Sequence, residues 1–404
     1  MTSSFQKVFH LFDGGIAAVT LLMLYATLWC NIIGSSSAYE CIHDTFVAEK
    51  ELNGLTLDVP SQDTRNDLRN LQSGLTYSNF DSIRIAFLTD GLSTFKSSAP
   101  SDFALFTERI LPAVAKKLSS TFRVRRILSG LGLRRPCTTL GFLTAPNGLS
   151  VRACAVADAN NVGTCIVSPI PQGLYSEDIF VCNDASLTNC TFRKGNAGLQ
   201  SADFTVLVNV DTSATCSGHS TALAFAGICF RDSNTDRPLI SELTFCNSAI
   251  NSMRRDPRTG VDTLLHEVLH GLGFSVSYYP RFRFDNGTAR TARSASGRPL
   301  ASNTTVLDGV VVGPRSQINN YLVTETAREY ARSYFGCAGT RGISLEAQGG
   351  GGSAGSHVEQ TSFFEDTMVA IGGTDTVLTN ATLTILRDSG WYNIEFDQAG
   401  NPQW

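Results

Sequence analysis

The chain has 404 residues, of which 42% are hydrophobic and 17% are charged, a composition typical of an ordered globular protein with at least one large core. The formal net charge of −4 provides no general attraction for nucleic acid. The densest arginine run, Arg123 to Arg135, alternates with apolar residues, which favours a partly buried strand and turn over a polyanion site, so no nucleic-acid partner is expected.

Residues 1–38 have the features of an export signal. A basic start precedes an apolar run from Ile16 to Cys30, and the small residues Ser36 and Ala38 suit a cleavage site, so the mature chain should begin near Tyr39. An uncleaved signal anchor is the alternative, because the run is nearly long enough to cross a bilayer, and it would attach the chain to a membrane. In both cases we expect a secreted or cell-surface protein.

The cysteine content agrees with export. Ten of the eleven cysteines lie beyond the leader, eight of them between Cys137 and Cys246, and outside the cell most should form disulfides. Four acceptor sequences for N-glycosylation point the same way, at Asn189, Asn286, Asn303 and Asn380. We therefore expect disulfide-tied sheet and loops in the middle of the chain.

Hydrophobic patterning predicts the first elements. Residues 39–78 are polar and suit a prosegment, which precedes a strand predicted from Ser82 to Phe87. A helix is predicted from Asp102 to Leu118, with a bend at Pro112. The mostly apolar run from Phe204 to Val210, interrupted by Thr205 and Asn209, predicts a buried strand.

The pentad HEVLH lies in an apolar helix predicted from Asp262 to Leu272. Its histidines, His266 and His270, are four residues apart and project from one helix face, with Cβ atoms about 6 Å apart. Imidazole nitrogen is a preferred zinc ligand, and a catalytic zinc has three protein ligands and a water. Glu267, rotated off the ligand face, is the candidate general base. Two buried structural histidines are the alternative, but they leave the intervening glutamate unexplained.

The local spacing does not identify the third ligand. The common metzincin motif would place histidine at position 276, where this chain has Val276. A carboxylate from a helix predicted over Thr324 to Phe335 would complete a His-His-Glu site. The candidates beyond the leader are His43, His219, His357, Glu325 and Glu329.

Four stretches carry a specific resemblance. They are HEVLHGLGFS at 266–275, GGGGSAGSH at 349–357, FEDTMVA at 364–370 and DSGWY at 388–392. Together they resemble the leishmanolysin family of surface zinc metalloproteases, over a region from about Cys41 to the C-terminus. The resemblance implies that His357 is the third ligand of one zinc ion per chain and that Met368 belongs to the methionine turn beneath it. The glycine run, by composition a linker, then becomes the segment that delivers His357.

The same resemblance gives Cys41 a role as a prosegment switch, whose thiolate would occupy the open zinc position. A disulfide is the alternative for Cys41, because the nine cysteines of the mature body leave one without a partner. The family continues into a further cysteine-rich domain, so the chain is expected to be truncated at its C-terminal end.

The fold expected from this resemblance is the α/β metzincin catalytic fold. A twisted mixed sheet and the active-site helix, residues 79–273, should lie above a cleft, and a second lobe, residues 274–404, should carry His357 and Met368. A protein or peptide substrate would bind extended in that cleft. The expected function is zinc endopeptidase activity on extracellular proteins, with a part in cell adhesion or host-protein degradation. The alternatives are another zinc hydrolase, using Glu325 or Glu329, and an adhesion protein with a structural metal site.

Overall fold

The structure is a computed structural model that describes residues 39–40, 77–135, 137–160, 163–211, 216, 223–300, 306–312, 317–348, 353–372 and 375–400. The chain divides into two units, Met1–Tyr39 and Glu40–Trp404, and Tyr39 is the described residue of the first. The predicted leader, almost all of the predicted prosegment, Cys41 and Asn303 lie outside the described residues.

The strands of the described residues are numbered in chain order. They are β1 (Tyr39–Glu40), β2 (Tyr77–Ser82), β3 (Ile85–Leu88), β4 (Phe122–Ile127), β5 (Thr139–Thr144), β6 (Ser150–Ala155), β7 (Ile179–Cys182), β8 (Cys190–Arg193), β9 (Phe204–Asp211), β10 (Ala224–Arg231), β11 (Pro238–Cys246), β12 (Leu307–Val312), β13 (Gln317–Leu322), β14 (Ile343–Ser344), β15 (Ile371–Gly372) and β16 (Tyr392–Ile394).

The α-helices are numbered in the same way. They are α1 (Ser93–Ser98), α2 (Pro100–Leu105), α3 (Leu111–Thr121), α4 (Val156–Asn160), α5 (Asn247–Arg255), α6 (Pro257–Gly271), α7 (Glu325–Phe335) and α8 (Asn380–Arg387). Short 3₁₀ turns lie at Asp90–Leu92, Gln172–Leu174, Tyr279–Arg281 and Phe396–Gln398.

A four-stranded mixed sheet, ordered β10-β11-β9-β3, supports helix α6. β9 runs parallel to both of its neighbours, with Val206 opposite Phe87 and Val208 opposite Leu243. Residues Phe204 to Val208 are buried at successive positions, so both faces of the strand are covered, which explains why the run is mostly apolar. The predicted buried strand is confirmed, and so is the mixed α/β class.

The cysteine-rich region forms a second four-stranded sheet, ordered β5-β6-β7-β8. Four disulfides pair all eight of its cysteines, as Cys137–Cys154, Cys165–Cys229, Cys182–Cys190 and Cys216–Cys246. The expectation of disulfide-tied sheet and loops is confirmed. Cys337 is exposed and, among the described residues, remains outside these pairs.

The predicted helix from Asp102 to Leu118 lies within a continuous helical segment from α2 to α3. A π-helical turn, Phe106–Ile110, joins the two α-helices immediately before Pro112. Proline has no N–H for an intrahelical hydrogen bond, and a local change of helix type is one way to accommodate this loss. The irregularity is therefore a π turn at the predicted place.

One of the predicted strands is wrong in detail. The segment from Ser82 to Phe87 is not one strand, because Ile83 and Arg84 separate β2 from β3. The Arg84 guanidinium turns there onto buried Asp203 at 2.8 Å. The partly buried strand predicted in the arginine run is present as β4, and Leu128, which follows it, is 59% exposed.

The second part of the chain contributes a three-stranded sheet, β12-β13-β14, and the helices α7 and α8. β16 returns to pair with β4, in a sheet ordered β16-β4-β2. Helix α7 lies where it was predicted, with Thr324 as its N-cap residue, and Thr379 is the N-cap residue of α8. No helix in the described ranges combines the length and the hydropathy needed to cross a bilayer.

Candidate metal centre

Helix α6 carries the first two histidines. It begins at Pro257, where the Asp256 carboxylate accepts a hydrogen bond from the Arg258 N–H at 3.0 Å and caps the helix. His266 and His270 lie one turn apart, and their Nε2 atoms are 3.1 Å apart. The apolar residues of the same helix are buried and hold this face in place, as predicted; they are Leu264, Leu265, Val268, Leu269 and Leu272.

His357 reaches the same point from a distant part of the chain. Its Nε2 atom lies 3.2 Å from that of His270, 87 residues away in sequence. Gly355 has a φ of +87°, a conformation that favours glycine, and a Cβ there would lie 3.1 Å from a methyl group of Val276. The Val276 N–H also donates to Ser356 Oγ at 3.0 Å. The residue at the usual third-ligand position thus secures the segment that supplies the third imidazole.

Backbone carbonyls fix the tautomer of all three imidazoles. Nδ1 of His266 faces the Thr367 carbonyl oxygen at 2.6 Å. Nδ1 of His270 faces that of Phe274 at 2.7 Å, and Nδ1 of His357 faces that of Ser353 at 2.9 Å. A carbonyl oxygen only accepts, so each Nδ1 must carry the proton, and each Nε2 of the neutral rings then presents a lone pair. The short Nε2 to Nε2 approaches are consequently not hydrogen bonds.

Three converging lone pairs are the arrangement that a metal cation requires. Two ligands of a tetrahedral zinc ion, each at 2.0 to 2.1 Å, are roughly 3.3 Å apart, close to the two distances between imidazoles. Among the described residues, these histidines form the group whose ligand atoms lie within 4.8 Å of one another. The donor set therefore fits zinc, with a fourth position left for water.

Burial favours the neutral form of His266. His270 and His357 are fully buried and His266 is half-buried. Burial lowers the pKa of His266 to about 4, although its hydrogen bond with Thr367 acts in the opposite direction. A neutral imidazole is the form that binds a metal.

Glu267 follows His266 directly on α6 and is 2% exposed. One step along an α-helix rotates the side chain by about 100°, so Glu267 leaves the face shared by the two histidines. A carboxylate beside the metal position, but not within the group of imidazoles, is suited to proton transfer.

The turn that contains Met368 contacts His266 through the Thr367 carbonyl. Met368 is fully buried, and its backbone N–H donates to the Asp366 carboxylate at 2.6 Å. Asp366, also fully buried, accepts further hydrogen bonds from the hydroxyls of Thr379 and Thr382, the first at the cap of α8 and the second within it. The turn is thus anchored to α8, and the Thr367 carbonyl within it orients His266.

The segment DSGWY packs against the residues that follow the C-terminal end of α6. A Cβ on Gly273 would lie 2.7 Å from the Trp391 ring, and the φ of Gly273 is +110°. The buried Tyr392 hydroxyl donates to the Leu272 carbonyl at 2.9 Å. These contacts give a structural reason for the Gly-Leu-Gly sequence that follows His270.

The remaining predicted residues lie elsewhere. Glu325 and Glu329 are exposed on α7 and do not belong to the group of imidazoles. Three of the glycosylation candidates, Asn189, Asn286 and Asn380, are exposed. Asp366 and the three carbonyl groups were not singled out in the sequence, because spacing alone cannot distinguish a buried carboxylate from an exposed one.

Asp262, one turn before His266 on α6, should make stability depend on pH. Burial raises its pKa to about 6, and the charge of Asp375 acts in the same direction, although its carboxylate accepts hydrogen bonds from the N–H groups of Asp375 and Thr376. A carboxyl group with a raised pKa in the folded chain contributes to the free energy of unfolding. This contribution is fully present below the pKa of the unfolded chain, near 4, and is lost as pH rises through the folded pKa of about 6. We expect the free energy of unfolding of Asp262→Asn to change less with pH across this window than that of the parent.

Urea unfolding of the metal-free protein at several pH values between 4 and 7 measures this effect, since removal of the metal excludes any change of metal affinity with pH and the titration of the histidines is common to both chains. Identical pH profiles for the parent and Asp262→Asn would contradict the prediction.

Comparison with known proteins gives consistent matches. A family model described as leishmanolysin matches residues 176–404, which include all three histidines and Glu267. A leishmanolysin-like peptidase of Caenorhabditis briggsae is 31% identical over 315 residues, or 73% of this chain and 46% of that protein. A leishmanolysin-like peptidase of Drosophila pseudoobscura pseudoobscura is 25% identical over 404 residues, or 93% of this chain and 58% of that protein. A ciliated left-right organizer metallopeptidase of Xenopus laevis is 26% identical over 400 residues, or 95% of this chain and 51% of that protein. The chain spans about half the length of these relatives.

Proposed function

Because the chain belongs to the leishmanolysin family of peptidases, we propose that it is a zinc-dependent endopeptidase with His266, His270 and His357 as its metal ligands. The observation that carries this proposal is the convergence of three Nε2 atoms whose Nδ1 atoms are held by backbone carbonyls. The lone pairs of three neutral imidazoles that converge in this way repel one another, and a metal cation between them would offset this repulsion.

In the proposed mechanism, zinc would act as the Lewis acid that polarises a water molecule and the peptide carbonyl. Glu267 would accept the proton of the attacking water and then return it to the leaving amine. The Thr367, Phe274 and Ser353 carbonyls keep the imidazoles in the required tautomer throughout. Met368 contributes a buried support under the ligands and no chemistry of its own.

The proposed substrate is a protein segment bound in extended form. β10 pairs only with β11 among the described residues, so its other side is an edge able to accept a further strand. Helix α6 packs against both strands. We place the cleft between residues 79–273 and residues 274–404, with α6 above it and Met368 below.

Two further parts of the proposal concern regulation and location. Cys41 would inhibit the enzyme as a thiolate on the metal until the prosegment, residues 39–78, is removed. Four disulfides and three exposed glycosylation candidates support an extracellular location, secreted or membrane-attached through the leader. Adhesion or degradation of host proteins would follow from activity at a cell surface.

Metal removal tests the proposal. The mature chain, with the prosegment removed, should cut an unfolded protein substrate, lose this activity in a strong chelator, and regain it with one equivalent of zinc but not with magnesium. Magnesium prefers oxygen ligands, so it should not replace zinc on three imidazoles.

Activity that persists after the zinc content has been shown to be negligible would refute the assignment. A folded chain with one zinc ion and no cleavage of any unfolded substrate would favour the adhesion protein instead, since a structural site does not need an activated water.

A further inference from the structure

Four arginine side chains surround one carboxylate at the turn between β10 and β11. Asp236, 5% exposed, lies 2.6 Å from Arg283 Nη2 and 3.1 Å from Arg293 Nη2. Arg231 Nε and Arg281 Nη1 approach its other oxygen at 3.4 and 3.6 Å. We call these five residues the arginine cluster. None of them is among the three imidazoles or adjacent to them in sequence.

The arginine cluster has an excess of positive charge. Four guanidinium groups and one carboxylate give a net charge of +3, and arginine does not lose its proton in proteins. The next carboxylate in the turn, Asp232, already accepts hydrogen bonds from the Tyr77 hydroxyl at 2.7 Å and the Thr235 hydroxyl at 2.8 Å. Asp388 lies near a different arginine, Arg290, at 4.0 Å.

Hydrogen-bond donors are also in excess. Arg283 is satisfied, since Nε and Nη2 both donate to Asp236 and Nη1 donates to the Gly287 carbonyl at 2.8 Å. In contrast, Nε and Nη1 of Arg293 and Nη1 of Arg281 are shielded from solvent and make no hydrogen bond with any described residue. Both side chains nevertheless reach the surface, at 16% and 15% exposure. Shielded donors of this kind call for an acceptor.

The arrangement is held in place at a cost. Asp236 has a φ of +60°, which is uncommon for a residue with a Cβ. Burial and the charges of the neighbouring arginines lower the pKa of Arg293, whereas Asp236 raises it. At Arg293, the one carboxylate therefore only partly offsets burial and the charges of the neighbouring arginines.

We propose that the arginine cluster is a binding site for a divalent tetrahedral oxyanion, a sulfate or phosphate group, with Arg281 and Arg293 as its principal donors. Such an anion supplies both features that the cluster lacks, negative charge and several acceptor oxygens. The planar guanidinium group matches oxyanions in geometry and forms strong, charge-assisted hydrogen bonds with them. This site would function independently of the metal centre.

Calorimetric titration of the folded protein with sodium sulfate, at an ionic strength held constant with sodium chloride, tests the proposal. We expect saturable binding of one sulfate per chain, weakened roughly ten- to a hundredfold in the variant Arg281→Gln/Arg293→Gln, because charge-assisted hydrogen bonds are lost. Arg328→Gln on α7 is the matched control, since Arg328 is exposed and distant in sequence from the cluster, and it should bind as the parent does.

Inorganic phosphate and phosphoserine, as a phosphate monoester, identify the source of the group. Binding of the inorganic ions alone assigns a free anion, and binding of phosphoserine as well assigns a group on a larger molecule. Absence of saturable binding in the parent, or equal loss in Arg328→Gln, would overturn the proposal. If the double variant does not fold, protection of Arg281 and Arg293 in the parent from phenylglyoxal by sulfate, but not by chloride, decides it, and no protection rejects it. Neither readout depends on zinc or on peptide cleavage.

Discussion

Replacement of Glu267 by glutamine should abolish peptide-bond cleavage while the zinc ion remains bound. Glutamine has nearly the same shape and can occupy the same buried position, but it cannot accept a proton. Loss of a general base typically costs at least about a hundredfold in rate. Initial rates on an unfolded protein substrate, measured beside the zinc content of the same samples, give both quantities.

The control for this experiment is Glu329→Gln. It makes the same chemical change on an exposed face of α7, at a residue that the sequence alone left open as a metal ligand. We expect this variant to retain both activity and zinc. Full activity in Glu267→Gln would remove Glu267 from the proposed mechanism, and loss of zinc from Glu329→Gln would reopen the His-His-Glu alternative.

The active-site helix could be predicted from the sequence because its information is local. Apolar residues at helical spacing and the glycines at its end predict the second half of α6, and the pentad then fixes the relation of His266 to His270. The helix begins earlier than the predicted Asp262, at Pro257, where Asp256 caps it. β9 is another element of this kind, since a strand covered on both faces is apolar at most successive positions.

The third imidazole could not be derived from spacing. His357 is 87 residues from His270, and no local rule relates residues so far apart. Resemblance to a family identified it, whereas reasoning from the residues alone left Glu325 and Glu329 open. The physical reason is tertiary: the positive φ of Gly355 and the Ser356 hydrogen bond with Val276 are visible only in the folded chain.

The groups that orient the imidazoles were missed for a related reason. The carbonyls of Thr367, Phe274 and Ser353 belong to the backbone, which every residue has, so no residue type indicates them. The arginine cluster was also not foreseen, because it joins the turn after β10 to residues 281–293. The arginine run that did stand out in the sequence contributes a strand, β4.

Replacement of His357 by alanine should eliminate tight zinc binding and, with it, activity. The residue supplies one of three converging nitrogens, and the remaining pair on α6 cannot enclose an ion. Loss of a group that merely orients a ligand typically weakens metal affinity ten- to a hundredfold, so loss of the ligand itself should exceed about a hundredfold. Competition with a chelator of known affinity measures this change.

Because His357 is fully buried, the variant also leaves a cavity that could weaken folding by itself. The difference in the free energy of unfolding between parent and variant, measured first without metal, gives the loss of folding stability. The increase in that free energy on addition of zinc then reports zinc binding alone. His219→Ala is the matched control, as a histidine that was also open on sequence grounds, and it should bind zinc as the parent does. Unchanged affinity in His357→Ala, or a loss confined to His219→Ala, would show that the third ligand lies elsewhere.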